Sequence, residues 1–349
     1  MDLTGLDKKI LFQLDLDGRA SYSQIGRQIG TTPQVVKYHV ESLLSKGIIQ
    51  NFWAFVDYEK AGYSFFWAYW LKFAGLTKEK EEEIFSYFKQ AKNMPIVMRC
   101  SGYADAMICI TTKDVFSHNE ILKDYSAKFG KYTAMIEMVV GLGFESYPRS
   151  YLLNQENKER LIYASGGAPG FVKISETEKK LLSLLQMDGR MEFVKVADFL
   201  GISVSYANET FKKLTGKGVI NKTAMTLGYA SAEIKSYRCL FRLLQFDEKR
   251  LAELHDFCVV QPNIKNYVPV MGNWQLMLDI EVESDEQLAD LIRKMRYDFK
   301  DVIYEVATAE IKKIEKFSQR VIEYPELLEK KAESESNEEE NDDDYFLKA

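Results

Sequence analysis

Apolar positions along the first fifty residues fall at helical spacing. Leu6, Ile10, Leu11 and Leu14 predict a first helix that Asp17-Gly18 ends. Ser21 is placed to cap a short helix whose inner face is Ile25 and Ile29. Gly30 supplies the left-handed turn that follows. Thr32-Pro33 reads as a helix start, a hydroxyl cap and then a proline whose missing N–H costs nothing there. The third helix is expected to bury Val36, Val40, Leu43 and Leu44 and to stop at Gly47. Ile48, Ile49, Phe52 and Phe55 then turn strand-like, and a hairpin is expected. Short helices joined by a glycine turn and followed by a hairpin make a winged helix-turn-helix plan.

From residue 65 the period changes. Residues 65–73 read as a strand and residues 78–92 as a helix with Ile84, Phe85 and Phe88 inward. Residues 96–101 and 106–111 read as strands joined across Gly102, residues 115–129 as a second helix and residues 132–144 as a last strand. That order is a split βαβ, or ferredoxin-like, unit. Its helices cover one sheet face and leave the other needing cover.

The chain then repeats itself. Asp17-Gly18-Arg19 recurs as Asp188-Gly189-Arg190, and at that offset of 171 residues 6–49 show twelve identities in 44 positions. The same offset pairs residues 66–73 with 237–244, and one residue less pairs Gly102-Tyr103-Ala104-Asp105 with Gly272-Asn273-Trp274-Gln275. Copy two keeps the plan: Ser175-x-x-Glu178 is a capping box, Gly201 makes the turn, Ser203 caps, and Ala207, Phe211 and Leu214 face inward. The expected fold class is α+β, with winged helix-turn-helix domains at 1–60 and 173–228 and ferredoxin-like domains at 61–154 and 229–322. A glycine-rich linker spans 155–172 and an acidic, disordered tail 323–349. The two ferredoxin-like units are expected to pair sheet to sheet as an intramolecular pseudo-dimer, with a homo-oligomer as the alternative.

Charge refines this picture. The net charge of −6 is carried by the tail, which is −8 over residues 323–349 and leaves the body at +2. A polyanionic partner is therefore not excluded. No run is long and apolar enough for a transmembrane helix, so no membrane partner is expected. Cys100, Cys109, Cys239 and Cys258 have no CxxC spacing, which argues against a zinc knuckle and fits a reducing cytoplasm. His39, His118 and His255 lie far apart, with neither a metal spacing nor a Ser/His/Asp arrangement, so no cofactor, metal or catalytic group is expected. The aromatic cluster Trp67, Tyr69 and Trp70 is read as sheet packing.

The ordered set Leu6-Asp7-x-x-Ile10-Leu11, Asp17-Gly18-Arg19, Gly30-x-Thr32-Pro33, Lys46-Gly47-Ile48-Ile49 and Gly102-x-x-Asp105 resembles the Lrp/AsnC family of transcription regulators. The resemblance covers nearly all of the chain, twice, except the linker and tail. It implies a regulator that binds double-stranded DNA and is no enzyme. It also implies a sensing domain for an amino-acid-like effector, with Gly102, Asp105, Gly272 and Trp274 as the effector positions. The family's usual arginine in the recognition helix is replaced by His39 and Thr210, and Gln275 stands where copy one has Asp105.

A recognition helix reads base edges through its exposed N-terminal residues. Those expected to face out are Gln34, Lys37 and Tyr38, with Thr32 at the N-terminus and His39 at the margin. Gln34 suits an adenine edge, Lys37 a guanine edge or a phosphate, and Tyr38 a phosphate. Ser21, Ser23 and Gln24 can position the DNA backbone. Copy two offers Ser203, Ser205, Tyr206, Asn208, Lys212 and Lys213. The rival readings are a siroheme-decarboxylase-like enzyme of this architecture and a sensor or scaffold without DNA contact. The former depends on histidine-rich strands, whereas residues 64–73 hold no histidine.

Overall fold

A computed structural model describes residues 3–62, 65–155, 162–166, 170–229, 231–244, 247–317, Tyr324 and Leu327. The first copy begins with helices α1 (Gly5–Leu16), α2 (Tyr22–Ile29) and α3 (Pro33–Ser45), followed by strand β1 (Ile49–Val56). It continues through β2 (Phe65–Phe73), α4 (Lys78–Gln90), β3 (Ile96–Gly102), β4 (Ala106–Thr112), α5 (Val115–Phe129) and β5 (Thr133–Gly141). Two short strands follow, β6 (Gly143–Ser146) and β7 (Tyr163–Gly166). The second copy runs α6 (Glu176–Met187), α7 (Phe193–Leu200), α8 (Val204–Gly216), β8 (Ile220–Leu227) and β9 (Lys235–Leu243). It ends with α9 (Glu248–Val260), β10 (Ile264–Gly272), β11 (Leu276–Val282), α10 (Asp285–Asp298) and β12 (Ile303–Phe317).

The local signals act as expected. Thr32 Oγ1 accepts from Val35 N, Ser21 and Ser175 form capping boxes, and Gly30 and Gly201 are left-handed at φ 73° and 64°. Val36, Val40 and Leu43 are buried, but Leu44 is 39% exposed, because it lies a fraction of a turn beyond the inner stripe.

Among the described residues, no hairpin follows either bundle. Each contributes one strand, and β1 pairs antiparallel with β8 of the other copy, Trp53 opposite Ala224. The expected wing is thus a ribbon shared between the copies. Backbone hydrogen bonding does not distinguish a sequence neighbour from a distant strand.

The ferredoxin-like units join at their edges. Strand order runs β11-β9-β12-β3-β4-β2-β5-β10, and β10 pairs back onto β11, which closes an eight-stranded barrel. The seams between copies are β12 with β3 and β5 with β10. Trp70, Met107, Leu240, Trp274 and Met277 fill the interior, while α4 and α5 cover Tyr69, Leu71 and Ile108 outside. The pseudo-dimer therefore forms by barrel closure, which removes the free edges of two separate sheets.

Three expectations shift. From β2 onward the copies align at offset 170, since β2 spans 65–73 and β9 spans 235–243. Carrying 171 into this strand would reverse every side chain. The region read as linker carries a strand, for β7 pairs with β6, while residues 156–161 and 167–169 of that linker lie outside the described residues. The region read as tail begins with packed residues: Leu327 is buried in the core of the second bundle, and Tyr324 Oη donates to Glu176 Oε2 at 2.6 Å. Residues 328–349 of the tail lie outside the described residues.

Candidate nucleic-acid interface

Helices α3 and α8 present the same face to solvent, each held by its bundle core and by the β1–β8 ribbon. On α3, Gln34 and Lys37 are exposed and Tyr38 is 70% exposed. Lys37 Nζ lies 3.7 Å from Glu41 Oε1, a solvent-screened contact that leaves the ammonium able to exchange partners. Ser23 is exposed on α2. On α8, Ser205 and Lys212 are exposed and Tyr206 is 47% exposed.

Other expected contacts already serve the fold. Ser21 and Gln24 satisfy each other in the α2 capping box, and the Thr32 and Ser203 hydroxyls cap their helices. His39 turns inward, with Nδ1 2.7 Å from Asp7 Oδ1. Burial alone would raise the Asp7 carboxyl, but hydrogen bonds from Thr4 and His39 hold it below its usual range. Lys213 reaches Glu178 Oε1 at 2.9 Å, and Asn208 Nδ2 donates to Val204 O at 2.9 Å. The exposed candidates that cap no helix are thus Ser23, Gln34, Lys37 and Tyr38 in one head and Ser205, Tyr206, Lys212 and the half-exposed, Glu178-paired Lys213 in the other.

The expected effector positions meet at one end of the barrel, where Tyr103 packs edge-on against Trp274 at 5.6 Å. Their visible work there is structural. A Cβ on Gly102 would lie 2.8 Å from Thr308 O, and one on Gly272 2.9 Å from Met138 O, so these glycines let the inter-copy seams close. Asp105 Oδ2 accepts from Phe73 N at 2.8 Å, and Gln275 Oε1 accepts from Leu243 N at 2.9 Å. Gln275 thus preserves the job of Asp105 without its charge. Trp274 is buried, and its Nε1 donates to Glu137 Oε2 at 2.5 Å.

Sequence reasoning missed Arg19 and Arg190, which tie the two bundles together. The signal was present, since the Asp-Gly-Arg triplet is the longest run of identities between the bundles. It also missed a buried ionic network, where Arg149 bridges Asp15 of α1 and Glu281 of β11 and Lys265 Nζ reaches Asp15 Oδ1 at 3.0 Å. No local pattern marks these charges, which come from four distant segments. Among the described residues, no group of three histidines, cysteines or carboxylates could hold a metal ion, and no helix is long and apolar enough to cross a membrane.

A winged helix-turn-helix DNA-binding family matches residues 3–50 and again 174–221, the two bundles described above. An uncharacterised HTH-type transcriptional regulator of Pyrococcus furiosus is 31% identical over 129 residues, covering 37% of this chain and 83% of the relative. The structure of Bacillus subtilis LrpC is 26% identical and covers 40% of this chain and 94% of its own, at a TM-score of 0.33. The siroheme decarboxylase NirDL is 14% identical, covers 96% of this chain and all of its own, and has a TM-score of 0.58, a likeness of fold alone. With two matched bundles and a regulator relative spanned over most of its length, the chain belongs to the HTH-type transcriptional regulators and carries the matched bundle twice in one polypeptide.

Proposed function

We propose that this protein is a sequence-specific DNA-binding regulator of transcription, acting in the cytoplasm, that reads two half-sites with unequal heads. The observation that carries this reading is the pair of solvent-facing helices, α3 and α8, mounted on one shared ribbon. A rigid mount fixes the distance between heads, which sets half-site spacing. Gln34, Lys37 and Tyr38 on one helix and Ser205, Tyr206 and Lys212 on the other differ in chemistry, so the operator is an imperfect palindrome. Each head is weakly basic, +1 over residues 1–50 and +3 over 173–222. Binding is therefore modest per head and strongly salt-dependent, and tethering the two heads raises their joint affinity.

An amino-acid-like effector belongs to this reading. Its place is the barrel end where Gly102 and Asp105 meet Gly272 and Trp274. The protein catalyses no reaction in this account, and one chain supplies both halves of the binding unit.

Selection of bound fragments from a genomic library, with the full chain at about 50 mM salt, tests the proposal. Recovery of a common sequence with unequal half-sites about 34–36 Å apart, or a multiple of that, supports it. Failure to retain any fragment, or retention without shared sequence, overturns it.

A further inference from the structure

The barrel is plugged at the Trp274 end and open at the other. The β1–β8 ribbon roofs that open mouth and encloses a cavity of about 140 Å³. A cavity of that size holds one aromatic ring. Its roof brings Trp53 and Phe55, and Phe144 and Tyr163 close its side, with Phe55 and Tyr163 ring centroids 4.3 Å apart.

The two copies line this mouth unequally. Copy two contributes Arg238, Asp279 and Asn266. At offset 170, copy one has Ala68, Cys109 and Ile96 in those places. The same barrel wall is thus built once from apolar side chains and once around a buried ion pair. Arg238 grips Asp279 through both Nε and Nη2, and Asn266 Nδ2 donates to Asp279 Oδ2 at 2.7 Å. A buried ion pair is seldom worth more than the apolar residues that could replace it. Copy one demonstrates that such residues suffice here, so stability does not account for the polar trio.

Two groups in this cavity are left over. Among the described residues, Asn266 Oδ1 and Tyr58 Oη are buried without a hydrogen-bond partner. The amide cannot be turned to hide the orphan, because the Asp279 carboxylate requires an N–H opposite it. A buried acceptor without a donor costs about 1–3 kcal/mol. Among the described residues, every basic side chain lining the cavity is committed: Arg149 to Asp15 and Glu281, Lys265 to Asp15, and Arg238 to Asp279. Asp57, whose Oδ2 lies 3.8 Å from Lys60 Nζ, and Glu59 also line it, so an incoming carboxylate would meet carboxylates or cations that are already paired.

We infer that the barrel mouth is a binding site for a small arylalkylamine, its ring among Trp53, Phe55 and Tyr163 and its ammonium N–H donated to Asn266 Oδ1. Tyr58 Oη takes a second polar contact, and Asp57 and Glu59 favour a positive over a negative head group. The site lies at the opposite end of the barrel from the Gly102 and Trp274 turns and does not depend on DNA binding.

Titration of the full chain with tyramine, read by calorimetry and tryptophan fluorescence, tests this. A saturable one-to-one isotherm is expected, with a dissociation constant on the order of millimolar or tighter. Phenylacetate, of similar size and opposite charge, should bind at least about tenfold more weakly. Asn266→Ile installs the residue of copy one and should weaken tyramine about tenfold, with some loss of melting temperature because Asp279 loses a donor. Tyr58→Phe is the milder variant and should weaken it several-fold. Absence of saturation by tyramine, equal affinity for phenylacetate, or unchanged affinity in folded Tyr58→Phe overturns the assignment.

Discussion

Arg19 and Arg190 each reach across the pseudo-two-fold axis into the turn that the other occupies. Arg19 Nη1 donates to Gly189 O and Nη2 to Met191 O, the latter at 2.8 Å, while Arg190 Nη1 donates to Gly18 O at 2.8 Å and Nη2 to Ala20 O at 3.1 Å. Each guanidinium also lies over rings, Arg19 over Phe193 at 4.4 Å and Arg190 over Tyr22 and Phe52 at 5.1 Å. The turns are pinned to the ribbon as well, through Gly18 N to Thr223 O and Gly189 N to Phe52 O. A triplet repeated in sequence thus becomes a reciprocal clasp that fixes one head relative to the other.

Arg19→Ala removes two charge-assisted hydrogen bonds and the ring contact. It should destabilise the paired bundles by about 2–3 kcal/mol, seen as a lower first transition in calorimetry. Arg19→Lys should recover little, since a lysine has no planar guanidinium to set two nitrogens against Gly189 O and Met191 O while lying over the Phe193 ring. DNA affinity should fall in both variants although Arg19 does not face the groove.

Lys37→Ala and Lys212→Ala should each weaken binding and reduce the slope of log affinity against log salt by about 1 if they contact phosphate. Anisotropy on a selected operator reads both quantities. His39→Ala should leave the salt slope unchanged and lower the melting temperature, because His39 is bound to Asp7 rather than displayed.

Asp15 carries the clearest pH dependence. Burial would raise its pKa, but the Lys265 ammonium and Arg149 guanidinium overcome this and hold it at about 2, against 3.8 in the free side chain. The unfolded chain takes up this proton more readily than the folded one. The stabilisation is therefore present above about pH 4 and lost as pH falls toward 2, about 2 kcal/mol in all. Acid unfolding should show that limb, and Asp15→Asn should flatten it at the cost of a lower melting temperature near neutrality.

His118 lies flat against Trp67 at 4.0 Å and places Nε2 2.6 Å from Tyr69 Oη. Burial lowers its pKa below the ordinary 6.5. Its neutral form is favoured in the fold, so stability is full above about pH 6.5 and falls as pH drops below it. The melting temperature should decline from about pH 7.5 to pH 5, and less steeply in His118→Gln.

Gly102→Ala and Gly272→Ala should each cost more than about 2 kcal/mol, because a methyl group there meets a carbonyl oxygen of the other copy across the barrel seam. Loss of stability in these variants without a change in affinity for amino acids would assign the two glycines to barrel closure rather than to the effector.

Local chemistry made much of this protein legible. Thr32-Pro33, Ser21, Ser175, Gly30 and Gly201 mark helix ends by hydrogen bonding and backbone conformation within a few residues. The spacing of Val36, Val40 and Leu43 marks the buried stripe and hence the exposed Gln34, Lys37 and Tyr38. The duplication is written as identities at a fixed offset. What tertiary structure alone decided is which distant groups meet. The strand after α3 pairs with its counterpart 171 residues away, because a ribbon shared between copies and a local hairpin make the same backbone bonds. A one-residue change of offset before β2 sends Arg238 inward where Trp67 points out, because side chains alternate along a strand. The cavity between ribbon and barrel, with Asn266 and Tyr58 facing it, arises only when eight strands from both copies close.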